Sequence, residues 1–262
     1  MTGREMLIAS SIKVKGDWDS LLTMIKNKET LDEKEAKELL SSLKCKAVTL
    51  IDDDYPECLK RCPKPPIVLF YYGDLSLASD HARNVAYIGS RDASSYGLEM
   101  ARYFADALVE RGAVVVSGLA RGIDSAAQEE VLKQRGKTIA VLGSGIDCPF
   151  PASSVNLYKR IKTDGLVLSE YPNDTPPNQK QFPVRNRIIA ALSNLVIVGE
   201  AAKRSGTLIT VGYALTCGSE VACVPTKAAQ EAATNTLIKE GAHLLDCASD
   251  LDVFFQSKPK KE

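Results

Sequence analysis

The chain has 262 residues, 45% of them hydrophobic, and its 33 lysines and arginines are matched by 33 acids. That length holds one large domain with a small appendage, and the balanced charge excludes a global basic field, so any attraction to a polyanion must come from a local patch. No apolar stretch is long enough to span a bilayer and no signal peptide is read at the start, so the expected location is the cytoplasm.

Residues 1–50 read as a small helical segment. Thr30-Leu31-Asp32-Glu33 has the capping-box pattern and predicts a helix that ends in Leu39-Leu40-Ser41-Ser42-Leu43. Residues 51–80 read as an extended linker, punctuated by Asp52-Asp53-Asp54-Tyr55-Pro56 and Lys64-Pro65-Pro66, with a short strand over Ile67 to Tyr71. The acidic triplet lacks the spacing of a calcium loop and reads as solvated. Residues 81–255 carry the main domain, and 256–262 read as a frayed basic tail. The seven cysteines are scattered and odd in number, without a zinc-like pair of pairs, so they read as free thiols with no metal.

Within the main domain, short apolar runs each end in a loop of glycine, serine, arginine or acid. Val85 to Ile88 runs into Gly89-Ser90-Arg91, and Val114 to Val116 into Ser117-Gly118-Leu119-Ala120-Arg121-Gly122-Ile123-Asp124. Ile139 to Leu142 runs into Gly143-Ser144-Gly145, Leu166 to Leu168 into Ser169-Glu170, and Val196 to Val198 into Gly199-Glu200. Strands buried on both faces read as continuous apolar runs. The segments between them carry helical spacing, so the pattern is βαβα and predicts an α/β fold with a mostly parallel sheet. Ligands of such sheets bind beyond the carboxyl ends of the strands, where these polar residues gather. Glycine permits close backbone approach, a following helix aims N–H groups at an anion, and Arg91 and Arg121 can fork onto a phosphate. The bland reading is that the glycines only make tight turns. Neither loop is a Walker sequence or a dinucleotide fingerprint, and no cofactor is expected.

The stretch from Phe182 to Leu192 includes Pro183, Arg185, Asn186 and Arg187. Pro183 disfavours helix at Phe182, so a helix is predicted to begin near Arg185. Two arginines at that point oppose the helix dipole unless an anion compensates them, which suits phosphate binding. The alternative is a surface pair of arginines in ion pairs. Phe182 either stacks on a base or packs in the core.

Gly89-Ser90-Arg91, Ser117 to Asp124, Thr138 to Gly145, Ser169-Glu170, Phe182-Pro183 with Arg185-Asn186-Arg187, and Ser205-Gly206-Thr207-Leu208-Ile209-Thr210 together resemble the DNA-processing protein A family, DprA or Smf. The resemblance covers roughly Tyr55 to Asp252. It implies an extended Rossmann-like domain that binds single-stranded DNA without a catalytic residue set. It also implies a homodimer that protects incoming DNA and helps load the recombinase RecA in natural transformation. The expected contacts are Gly89, Ser90, Arg91, Ser117, Gly118, Arg121, Gly122, Gly143, Ser144, Gly145, Phe182, Arg185, Asn186, Arg187, Ser205, Gly206 and Thr207, with Asp124, Glu170 and Glu200 behind them. The dimer face is expected over Thr207 to Gly218 or Thr234 to Leu244. Departures from the family pattern are Gln128 for histidine, Ser154 for asparagine, Phe150-Pro151 for Tyr-Pro, Pro225-Thr226 for Pro-Gly, and a short alanine-rich loop to Thr234-Asn235. No winged-helix domain is read after Phe255.

The competing class is a nucleotide sensor, or an N-glycosidase of the lysine-decarboxylase-like Rossmann group. Glu170 and Glu200 sit at neighbouring strand ends, and paired carboxylates can cleave a glycosidic bond. That group carries Pro-Gly-Gly-x-Gly-Thr, whereas Arg204-Ser205-Gly206-Thr207 lacks the lead. The favoured role for the acids is to cap helices and brace Arg185 and Arg187. Ser117 and Ser205 have no histidine in their motifs to activate them, so the chain is read as a binder, not an enzyme.

Overall fold

The computed structural model describes residues 1–203, 205–227 and 232–255. The expected basic tail, Arg204 and the middle of the altered 225–235 loop lie outside them. One nine-stranded sheet organises the chain. Its strands are β1 (Lys46–Thr49), β2 (Val68–Gly73), β3 (Asn84–Ile88), β4 (Val114–Ser117), β5 (Lys137–Val141), β6 (Leu166–Ser169), β7 (Leu195–Val198), β8 (Glu220–Cys223) and β9 (His243–Leu244). They lie in the order β1-β2-β6-β5-β4-β3-β7-β8-β9. The run from β6 to β9 is parallel, while β2 pairs antiparallel with β6 and β1 antiparallel with β2. The α/β class with a mostly parallel sheet is what the apolar runs predict, and the Rossmann-like form is what the resemblance implies. The chain turns back at β3 and β7, which form the topological switch point of a doubly wound sheet.

The sheet is covered on both faces. Val85, Tyr87, Val115 and Ile197 point to the side of α4 (Ser95–Glu110) and α5 (Ile123–Lys133). Ala86, Ile88, Val116 and Val196 point to α7 (Gln181–Leu192) and α8 (Thr207–Cys217). This two-sided burial is why the strands read as unbroken apolar runs. A third cluster joins α6 (Val155–Asp164) and Phe70 to the N-terminal helices α1 (Gly3–Lys13) and α2 (Trp18–Lys26) through Ile8, Ile12 and Leu21. Helices α3 (Glu33–Ser41), α9 (Ala233–Lys239) and α10 (Asp252–Phe255) complete the set.

Two local expectations are corrected. Helix α3 is capped by Asp32, whose carboxylate accepts from the Lys34 and Glu35 amides, not by Thr30; a capping box with both bonds in place is formed instead by Thr2 with Glu5 on α1. Helix α7 begins at Gln181, ahead of Pro183. Proline fits there because the first-turn N–H groups have no intrahelical partner to lose. Strand β1 falls within 1–50 and β2 within 51–80, and both are hydrogen-bonded into the sheet of the main domain.

Candidate functional site

A cleft of about 610 Å³ opens at the carboxyl ends of β3 and β7. In a parallel sheet the connecting helices run back against the strands, so the first two turns of α7 arrive at this rim with Phe182, Arg185 and Asn186. The loop after β3 brings Gly89, Ser90 and Arg91, and the start of α8 brings Ser205, Gly206 and Thr207. A smaller chamber of about 260 Å³ adjoins it and adds Gly118 and Arg121. Eleven of the seventeen expected contacts thus line the two chambers, whereas Ser117, Gly122, Gly143, Ser144, Gly145 and Arg187 line neither.

Arg185 is the centre of the charge. It is 4% exposed. Its guanidinium donates to Gly118 O at 2.8 Å, to Val141 O, and to Asn186 Oδ1 at 3.1 Å. These are neutral acceptors, and among the described residues no carboxylate lies within ion-pair distance of it. Burial pulls its pKa down to about 10, Asp124 opposes that fall, and the nearby Arg91 adds to it. Arg185 therefore stays charged at neutral pH. Asp124 is buried and accepts from the Gly118 amide at 3.0 Å; burial pushes its carboxyl up while Arg185 and that amide pull it down. Gly118 is glycine for space, because a Cβ there would lie 2.5 Å from the Arg185 guanidinium. Gly143 serves Phe182 in the same way, since a Cβ would lie 2.6 Å from its ring. Arg91 sits 5.4 Å over the Phe182 ring, which is part-buried and lines the cleft.

Arg187 is placed differently from Arg185. It is 2% exposed and forms a bidentate pair with Glu170, with both bonds at 2.7 Å. Burial works against its charge, and Glu170 more than restores it. Burial likewise pushes the Glu170 carboxyl up, against the pull of Arg187. The pair satisfies itself beneath the cleft, so neither residue lines it. Residues 185 and 187 lie in the second turn of α7, beyond the first-turn reach of the dipole, so the dipole argument for an anion at the pair does not apply. Glu200 braces neither arginine. Its carboxylate accepts from the Ser94 amide and hydroxyl at the start of α4.

Several expected amide donors are already engaged. The Ser90 amide donates to Glu200 O at 2.7 Å, the Gly118 amide to Asp124, and the Gly145 amide to Thr175 O at 2.7 Å. Ser117 is buried with its hydroxyl on Tyr87 O, and Ser144 is buried with its hydroxyl on Cys148 O. Gly122 caps α5 at φ +86, packed under the Ser90 and Arg91 carbonyls. The glycine loops therefore shape the rim more than they cradle a ligand. Sequence reasoning missed Asp92, Gln179 and Phe150 on the cleft wall. Asp92 follows the Gly-Ser-Arg motif directly and binds Arg121. Phe150 was visible only as a variant Phe-Pro pair. Gln128, at the family's histidine position, is buried and donates to Thr138 Oγ1 and Ile139 O, away from the cleft.

Comparison with known proteins fits this geometry. The sequence model of the DNA recombination-mediator protein A family matches residues 46–256. The chain belongs to that family. It is 40% identical over 210 residues to the DNA processing protein DprA of Streptococcus pneumoniae, covering 79% of this chain and 73% of that protein. It is 43% identical over 176 residues to protein Smf of Synechocystis sp., covering 66% of this chain but only 44% of that relative's length. The solved structure of DprA from S. pneumoniae matches with a TM-score of 0.77 at 33% identity, covering 97% of this chain and 94% of that one. DprA from Helicobacter pylori, described as having a unique single-stranded DNA binding mode, matches with a TM-score of 0.72 at 30% identity over 80% of this chain and 95% of that one. Among the described residues, no helix is long and apolar enough to cross a membrane.

Proposed function

We propose that the chain is a recombination mediator that binds single-stranded DNA in the cleft at the switch point. One observation carries the reading: the buried Arg185 guanidinium is unpaired by any carboxylate among the described residues, and Arg91 faces it across the same cleft. A buried cation beside the exposed cation of Arg91 favours an anion in the cleft between them. Phe182 and Phe150 border the same space, which suits the bases of an unstacked strand. Phosphate contacts carry little sequence information, so binding is expected to be largely independent of sequence.

The further roles, to protect incoming DNA and to help load RecA in natural transformation, rest on the family and on the H. pylori relative's DNA binding. Homodimer formation is supported by exposed apolar side chains in the two expected stretches: Leu215 at 68% and Ile209 at 42% on α8, and Leu244 at 48%. The N-glycosidase reading is not favoured. Glu170 is sealed against Arg187 and Glu200 against Ser94, so these two carboxylates do not face each other across the cleft. The test is a salt titration of binding to labelled oligonucleotides. Arg91→Ala is expected to lower affinity for every sequence and to reduce the slope against log salt by about 0.7. An unchanged slope in the folded variant would contradict the assignment.

A further inference from the structure

The smaller chamber shares Arg91, Phe150, Phe182 and Arg185 with the main cleft, and its outer wall is Arg121, Pro151 and Ser153. The two aromatic rings on the shared wall are not equivalent. Phe182 is held on three sides, by Gly143 at its edge, by Arg91 at 5.4 Å over the ring, and by the Phe150 ring at 5.7 Å and 40°. Phe150 is 45% exposed, so it presents free ring surface to both chambers. Arg121 lies beyond it with its side chain 65% exposed. Its guanidinium pairs with Asp92, 84% exposed, on the main-cleft side, and its Nε donates a long bond to Arg91 O at 3.3 Å. Exposed carboxylate pairs of this kind hold an arginine loosely. A backbone phosphodiester carries the same single charge as a carboxylate and also fits the guanidinium fork, so a strand held in the cleft competes with so loosely held a carboxylate for the arginine.

We propose that the smaller chamber is a second nucleotide subsite, in which a base stacks on Phe150 while its phosphate takes Arg121 from Asp92. The inference rests on the reading of the main cleft as a single-strand site, and adds a direction to it: the strand leaves the cleft past Phe182 and Phe150 toward Arg121. It also explains a preference for unpaired DNA, since a base inside a duplex has both faces already stacked. Asp92 then acts as a resident competitor, an anion on the cleft wall that the strand must displace.

The test uses thymidine oligonucleotides of increasing length with the wild type, Phe150→Ala, Phe150→Trp, Arg121→Ala and Asp92→Asn. Phe150→Ala is expected to weaken binding of longer oligomers about tenfold, a larger loss than it causes for the mononucleotide, which the main cleft holds also through Phe182. The added Trp in Phe150→Trp is expected to be quenched by bound bases. The native Trp18, whose indole N–H is tied to Pro65 O at the N-terminal segment, supplies a constant background. Arg121→Ala is expected to lower the salt slope by about 0.7, and Asp92→Asn to tighten binding. Far-UV circular dichroism and thermal melts matching the wild type establish that the exposed substitutions fold. If Phe150→Ala matches the wild type at every length and Phe150→Trp is unquenched while the wild type still binds, the second subsite is wrong and the main cleft stands. If the wild type itself binds no oligomer at low salt, the single-strand reading fails, and the subsite with it.

Discussion

Arg187 and Arg185 sit two residues apart in one motif, and replacing them separately separates their roles. Arg187→Ala leaves Glu170 buried with no counter-ion, because both carboxylate oxygens bond Arg187 at 2.7 Å and the two side chains are 3% and 6% exposed. Breaking a buried pair from one side costs about 3–5 kcal/mol. For a chain of this size that corresponds to a fall in melting temperature of roughly 6–20 °C. Replacing both partners, as Arg187→Met with Glu170→Leu, is expected to recover most of the loss, since a well-packed apolar pair avoids the desolvation of two charges. Differential scanning fluorimetry reads the melts, and fluorescence anisotropy at several salt concentrations reads binding on each folded variant. At a temperature where the single variant is folded, its salt slope is expected to match the wild type. An Arg187→Ala protein with the wild-type melting temperature and a salt slope lower by one phosphate would refute the placement of Arg187 beneath the cleft.

Three further outcomes follow from other contacts. Gly118→Ala sets a methyl 2.5 Å from the Arg185 guanidinium; it is expected to cost about 1–3 kcal/mol of stability and to lower oligonucleotide affinity, read by melts and anisotropy together. Asp52 is held below the usual carboxylate range: burial opposes the shift, but hydrogen bonds from Thr49 and Arg4 outweigh it. A lowered folded pKa gives stability present above the ordinary Asp range and lost as pH falls through the depressed value, so Asp52→Asn is expected to be less stable at neutral pH and to flatten the acid limb of a melting-temperature profile. Incubation with nucleoside monophosphates is expected to release no free base, and release abolished by Glu170→Gln would reinstate the glycosidase.

Much of the fold was legible because backbone demands are local. Each buried strand needs an apolar run, and the run over Val85 to Ile88 matches β3 almost residue for residue. The loops after β3, β4 and β7 were legible as a set because a parallel sheet sends all its carboxyl ends to one rim. The chemistry of individual side chains was not. Arg185 and Arg187 look alike in sequence, yet one turns to Gly118 and Val141 and the other to Glu170, a choice made by residues 17 to 67 positions away. Glu170 and Glu200 end successive runs in sequence, yet β5, β4 and β3 lie between those strands in the sheet, and one neutralises a buried arginine while the other holds Ser94, the N-cap of α4. The glycines were read as phosphate seats because an empty Cβ position looks the same whether a ligand or Phe182 fills it. The antiparallel addition of β1 and β2 beside β6 was hidden for a related reason: β2 pairs with a strand more than ninety residues away, and such pairing leaves no periodicity in either segment.

The central claim is that the cleft between Arg91 and Arg185 holds single-stranded DNA. Its most direct measurement is the affinity for a labelled oligonucleotide, single-stranded and as a duplex, across a range of salt for wild type and Arg91→Ala. The account predicts tight binding of the single strand at low salt, weaker binding of the duplex, and a linear loss with log salt whose slope is shallower by about 0.7 in the variant. Equal affinity for both forms, or a variant indistinguishable from wild type at every salt concentration, would contradict it.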